Sequence, residues 1–187
     1  MTDKPKFPRA DALKVAKMMC VSLADHCDRL ICAGSLRRRK KFVGDVEIVY
    51  IPKLSTQAVD FFTATSISRV DMALNQLLLD GVIAKRKNSR GSEMWGKKNK
   101  LAVHVATGIP VDFFAATEAN WFNYLVCRTG GAENNRQIAT AANAKGWTWN
   151  PYDVGFTDER GEIVRVTTEE EVFGFVGLSF KQPWERA

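Results

Sequence analysis

The stretch Gly34-Ser-Leu-Arg-Arg-Arg-Lys-Lys-Phe-Val-Gly-Asp-Val-Glu-Ile-Val49 puts a small-residue turn, five consecutive cations and two alternating carboxylates within sixteen residues. A strand has a side-chain period of two, so Asp45 and Glu47 would point to one side while Val46, Ile48 and Tyr50 point to the other. Two hard oxygen ligands then converge. Ser35 and the backbone N–H groups after Gly34 stand where a strand would hand over to a helix, and a helix N-terminus favours phosphate. Together these residues suit a site that holds a polyphosphate and divalent metals.

A third carboxylate, Asp112, lies in Ile109-Pro-Val-Asp-Phe-Phe114. An ionised side chain among Val and Phe is costly unless it is paired or binds metal; the plainer alternative is that it faces solvent on a half-exposed strand. Three carboxylates on adjacent strands could hold two Mg²⁺ ions roughly 3.5–4 Å apart, the arrangement used for in-line phosphoryl transfer. Arg37, Arg38, Arg39, Lys40 and Lys41 read either as a solvated face or as phosphate contacts, with Arg supplying a rigid fork and Lys a mobile point charge. A second basic set flanks Trp95: Lys85, Arg86, Lys87 and Arg90 with Lys97, Lys98 and Lys100. It could follow a nucleic-acid backbone or simply be a hairpin surface.

The elements that must position these groups follow from periodicity. Leu13, Ala16, Cys20 and Leu23 predict a helix over about 11–25, and Arg29–Ala33 a short strand that breaks at Gly34. Val43–Ile51 resumes as a strand closed by Pro52. Ser66 is expected to cap a helix whose stripe is Val70, Leu74, Leu77 and Leu78, ending near Gly81. Strands are expected at Val82–Lys87, Ser92–Val105 and Ile109–Phe114, with residues 1–8 as a short tail. Beyond Glu118 the pattern predicts helices at 118–127 and 131–145, a hairpin from Trp147–Phe156 to Glu162–Val166, and a last helix at Thr168–Leu178 with acidic residues in its first turn. Asp153, Asp158 and Glu169-Glu170-Glu171 read as turn and helix-start residues, and Trp121, Trp147, Trp149 and Trp184 as packing. The mixture argues for an α+β architecture of 187 residues in two lobes, 1–117 and 118–187.

The net charge of +6 suggests an anionic partner. Cys20, Cys27, Cys32 and Cys127 lack metal-ligand spacing, so reduced, buried thiols are expected. The N-terminus has no signal-peptide core, and no apolar run approaches the ~18 residues of a membrane span. A soluble, intracellular protein without a membrane partner is the expectation, cytoplasmic or nucleoid-associated if prokaryotic or viral.

Taken in order, these motifs resemble the nucleotidyltransferase superfamily and, within it, the family X DNA polymerases. Gly34-Ser-Leu-Arg-Arg38 and Gly44-Asp-Val-Glu47 resemble the family's Gly-Ser-[Phe/Leu]-Arg-Arg and Gly-Asp-x-Asp, and Ile109-Pro-Val-Asp112 its third-carboxylate strand. Ser89–Gly96 is similar to the palm hairpin, Thr129-Gly130 to the Thr-Gly turn of the thumb, and Pro183-Trp-Glu-Arg186 to the Pro-x-x-Arg ending. The resemblance covers nearly all of residues 6–186 and implies a palm with a mixed or antiparallel sheet plus a small α+β thumb.

That likeness implies Mg²⁺-dependent addition of dNMP from a dNTP to the 3′-hydroxyl of a DNA primer or gap, in a monomer, with Mn²⁺ as an alternative metal. Asp45 and Glu47 would touch both metals, and Asp112 would bind the catalytic one. Ser35, Arg38 and the Gly44 backbone would hold the triphosphate, with Arg37 near the primer end or the transferring phosphate, Thr129-Gly130 against the sugar and Asn135 at the base edge. Four departures stand out: Glu47 replaces Asp, Cys127-Arg128 replaces an aromatic pair, and Ala139 and Pro110 stand where arginines contact DNA. With no Gly-x-Gly hairpin pair ahead of the palm, the compact palm-plus-thumb form is expected. Transfer to RNA, protein or a small molecule, and DNA binding without catalysis, are the alternatives.

Overall fold

The computed structural model describes residues 5–58 and 64–186, so the first four residues of the expected tail lie outside it. The fold is α+β. The chain forms two compact units, Met1–Cys32 with Phe42–Ala115 and Ala33–Lys41 with Ala116–Ala187. The basic segment after Gly34 thus belongs with the C-terminal residues, although it interrupts the first unit in sequence.

In the first unit, β1 (Phe7–Pro8) leads into α1 (Arg9–Leu23). Proline at the N-cap starts this helix two residues before Asp11. Its buried face is Ala12, Val15, Ala16, Met19 and Leu23, a helical stripe that leaves Leu13 exposed. The expected stripe through Leu13 and Cys20 is therefore rotated by about one position.

A 3₁₀ turn at Ala24–His26 connects α1 to β2 (Cys27–Cys32), and after α2 (Gly34–Arg37) the chain resumes as β3 (Phe42–Val43) and β4 (Val46–Pro52). β3 pairs with β1, not with the sheet that β4 enters. That main sheet also takes β7 (Ile83–Lys85), β8 (Asn99–His104) and β9 (Pro110–Ala115), in the order β2-β4-β9-β8-β7. Only β4 and β9 run parallel; the other neighbours are antiparallel. Ile48, Val49, Tyr50 and Ile51 are all buried, so both faces of central β4 are covered, with α1 packed on β2 and β4.

The strand expected over Ser92–Val105 is shorter. Gly96 N–H donates to Asn99 O and Leu101 N–H to Met94 O, closing a turn so that regular pairing begins only at Asn99. Missed altogether are β5 (Leu54–Ala58) and β6 (Ala64–Ser68), an antiparallel pair. Ser66 lies within β6, and it is Ser68 that caps α3 (Arg69–Leu79), its Oγ accepting from Asp71 N–H at 3.2 Å.

The second unit holds α2 together with α4 (Trp121–Thr129), α5 (Ala132–Ala144) and α6 (Glu169–Gly174). Its antiparallel sheet has three strands where a two-stranded hairpin is expected: β10 (Thr148–Asn150), β11 (Gly155–Thr157) and β12 (Ile163–Arg165). The extra reversal at Asn150–Val154 splits the first arm. Val126, Ile138, Phe156, Val172 and Phe173 form the centre of its core. Trp149 is buried with its indole N–H donated to Asn123 Oδ1 at 2.7 Å, and Trp147 packs on Phe156. Trp184 departs from the packing expectation, being 46% exposed.

All four cysteines are free. Burial pushes the Cys27 thiol up to about 11 and that of Cys32 to about 12, so both are protonated at neutral pH. No helix among the described residues is long and apolar enough to cross a membrane.

The cap assignment is directly testable. Ser68→Ala should cost about 1 kcal/mol of stability, whereas Ser66→Ala on the exposed side of β6 should change the denaturation midpoint little.

Candidate active site

In the first unit, strand register aligns the carboxylates. Glu47 of β4 is the register partner of Asp112 of β9, and Asp112 is the partner of Leu101 of β8. Arg86 continues the row by donating its backbone N–H to Leu101 O at 3.0 Å. Paired residues point to the same sheet face, so Glu47, Asp112, Leu101 and Arg86 form one line across it. Asp45, two residues before Glu47, directly precedes β4 and is half-buried.

Asp112 is buried, and its charge is compensated by Arg86. The guanidinium Nη2 donates to both carboxylate oxygens, at 2.5 and 2.7 Å. The solvent-facing alternative for Asp112 is thereby set aside. Among the described residues, no group of three or more His, Cys, Asp or Glu side chains is arranged to hold a metal ion. Asp45, Glu47 and Asp112 still offer hard oxygen donors toward the N-terminal ends of two adjacent interior strands, and Asp112 already engages a cation; by donor chemistry they fit a divalent metal.

The basic hairpin divides. Lys85, Lys87, Arg90, Lys97 and Lys98 are exposed, with Lys85 Nζ 5.5 Å from the Trp95 ring centre. Lys100 is not part of that surface. It sits next to Leu101 and so on the opposite face from Asp112, buried, with Nζ 2.9 Å from Asp71 and donating to Gly96 O at 2.8 Å. Strand alternation, which a bare count of cations ignores, explains the correction.

In the second unit, α2 starts at buried Gly34 with φ +59°. Ser35 Oγ is buried and has no hydrogen-bond partner, a donor and acceptor without internal use. Arg38 Nη1 donates to Thr129 O at 2.6 Å. Arg37 donates to Thr129 Oγ1 at 2.8 Å and pairs through both terminal nitrogens with Glu169 at 2.6 and 3.0 Å. Glu169 also accepts from Arg186 Nη1 at 2.5 Å, and Arg186 is fully buried. Arg37, expected near the primer end or the transferring phosphate, pairs in this structure with a carboxylate of its own unit. Arg39 adopts φ +59° and lies 4.0 Å over the Trp184 ring, with Lys40 and Lys41 exposed beside it.

Thr129 is fully buried, and Gly130 follows at a crowded position. A methyl group there would fall 2.4 Å from Asn135 Oδ1 and 2.7 Å from Asn134 Nδ2, so any larger residue requires those two amides to shift. Asn135 Nδ2 donates to Cys127 O at 2.9 Å. Gly44 is different: it is exposed, and a methyl there would meet nothing within 4 Å.

Sequence reasoning assigned no role to Glu169 beyond starting a helix. Its partners are 132 and 17 residues away, so no local pattern announces the cluster. Burial pushes its carboxyl up, but the hydrogen bond and charge of Arg37, and then those of Arg186, outweigh this and hold it below the ordinary value.

Residues 124–187 match the family model described as the DNA polymerase beta thumb. The chain is also similar to DNA polymerase lambda of Rattus norvegicus, 23% identical over 201 aligned positions that cover 97% of this chain and 33% of that protein. It therefore spans about a third of the length of that curated relative.

Removing one partner from a buried ion cluster leaves charge uncompensated, so Glu169→Gln should cost about 3–5 kcal/mol at neutral pH. A depressed carboxyl stabilises the fold above its ordinary value, 4.5 here, and ceases to do so as pH falls through the lowered one. The stability gap between wild type and Glu169→Gln should therefore close below pH 4.5 in melts followed by circular dichroism; a gap that stays constant to strongly acid pH would count against the cluster.

Proposed function

We propose that this chain is a metal-dependent nucleotidyltransferase that adds dNMP from a dNTP to a DNA 3′-hydroxyl, releasing pyrophosphate, in the manner of a compact family X polymerase. The observation that carries the reading is the register of Glu47 beside Asp112, with Asp45 two residues upstream, in a chain whose C-terminal third matches a polymerase thumb. Asp45, Glu47 and Asp112 would hold the metals, Mg²⁺ or Mn²⁺. Such ions, when bound, acidify the attacking hydroxyl and neutralise charge on the leaving pyrophosphate.

The chain's own residues have separable tasks. Ser35 Oγ, buried without a partner, and Arg38, anchored through Nη1 to Thr129 O, would take triphosphate oxygens. Thr129 and Gly130 would bound the sugar, and Asn135, whose Nδ2 donates to Cys127 O and whose Oδ1 accepts from Asn134 Nδ2 at 3.4 Å, would use the second N–H and the second lone pair of its amide at a base edge. Lys85, Lys87, Arg90, Lys97 and Lys98, with Arg39, Lys40 and Lys41, would follow the phosphate backbone of primer, template or gapped DNA. A monomer suffices for these assignments.

One observation favours a second reading, DNA binding without catalysis: the Arg86–Asp112 ion pair neutralises a carboxylate on which the chemistry depends. A single assay separates the two, using labelled single-stranded, primed and gapped DNA with separate dNTPs and NTPs in Mg²⁺ or Mn²⁺. The proposed enzyme extends primed or gapped DNA; the binding protein shows salt-sensitive affinity and no extension. Asp112→Asn should lower extension by at least about a thousandfold with the fold intact, while Arg38→Ala should chiefly raise KM for the dNTP. Retained extension in Asp112→Asn would remove the metal assignment.

A further inference from the structure

The row Glu47, Asp112, Leu101, Arg86 carries a cation at one end and two adjacent carboxylates at the other. In-register neighbours of like charge repel, and Asp112 is only 7% exposed, so water does little to screen it. A cation beside Asp112 offsets that cost, and Arg86 supplies one. Neighbouring strands lie ≈ 4.7–4.9 Å apart, so Arg86, two strands from Asp112, must extend its side chain over Leu101 to reach it.

The geometry of that reach is informative. Arginine satisfies a carboxylate best through two parallel N–H···O bonds from two nitrogens. Here Nη2 alone straddles both oxygens of Asp112, as a compact cation would, and the guanidinium keeps little else. Nε is buried without a hydrogen-bond partner, and Nη1 reaches Lys87 O only at 3.5 Å. The pair compensates charge while leaving the guanidinium imperfectly bonded, and it engages both Asp112 oxygens, the atoms through which the carboxylate would bind a metal.

We propose that Arg86 is a positioning residue for the carboxylate site: its guanidinium is the resident counter-ion of Asp112, and a divalent cation engages Asp112 only by displacing it. This rests on the reading of Asp45, Glu47 and Asp112 as metal ligands. Arg86 thereby sets the metal affinity of the protein before any nucleotide or DNA arrives, because the binding-competent state is the fraction in which Asp112 is released. It is also withdrawn from the exposed basic set of its hairpin in the metal-free protein.

The test is direct binding of Mn²⁺ to the full chain without nucleotide, read from the loss of the free-ion electron paramagnetic resonance signal. Arg86→Met should bind about tenfold more tightly than wild type, and Mn²⁺ should raise its melting temperature by more. Lys87→Met, which removes the same charge without touching Asp112, should match wild type. Adding Asp112→Asn to Arg86→Met should abolish the gain. Should Arg86→Met fail to fold, Arg86→Lys, which keeps the charge but shortens the reach, makes the same comparison and should also bind more tightly than wild type. Equal or weaker binding in the Arg86 variants, or an equal gain in Lys87→Met, overturns the displacement while leaving the metal site standing. Folded wild type and Arg86 variants that all fail to bind Mn²⁺ at millimolar concentration would overturn the metal reading itself.

Discussion

Parallel pairing of β4 with β9 sets Val46 against Val111, Glu47 against Asp112 and Ile48 against Phe113. The two hydrophobic pairs bury the strands on the opposite face, and the acidic pair between them is carried to the same height on its own face. A slip of one residue would move every side chain of one strand to the other face and separate Glu47 from Asp112, so the packing that holds the sheet also enforces the acidic pair. β4 is buried along both faces, which leaves this register little freedom.

The second unit solves a different electrostatic problem. Its interior contains a fully buried arginine, Arg186, a second guanidinium from Arg37 and one carboxylate, Glu169, shared between them. Two cations around one anion leave net positive charge, partly met by Thr129 Oγ1 on Arg37 and Lys181 O on Arg186 Nε. The Thr129–Gly130 turn is consequently held from several sides: Arg37 and Arg38 donate to Thr129, and the side-chain amides of Asn134 and Asn135 crowd Gly130. A turn so constrained can present backbone to a ligand without the entropy cost of ordering it.

Much of this was legible in the sequence because the signals are local. Alternation named Asp45 and Glu47 as a same-face pair, the Val and Phe run marked Asp112 as a carboxylate in need of a partner, and helical spacing located α3, α4 and α5 to within a few residues. Failures arose where two local rules compete. Ser66 and Ser68 are both acceptable caps, and only the pairing of β5 with β6 decides between them. Lys100 looked like one more member of a basic hairpin, yet its parity along β8 buries it against Asp71.

The sequence by itself determined which residues carry charge, which strand faces they share and that the architecture is α+β, because those follow from composition and from periods of two and 3.6 residues. Only the tertiary structure decided the partners: Arg86 for Asp112 across β8, Arg37 and Arg186 for Glu169 over 132 and 17 residues, and membership of residues 33–41 in the C-terminal unit. The physical reason is range. Periodicity reports what a side chain does to its own helix or strand, whereas charge compensation in a buried site depends on which distant elements folding brings within a few ångströms of it.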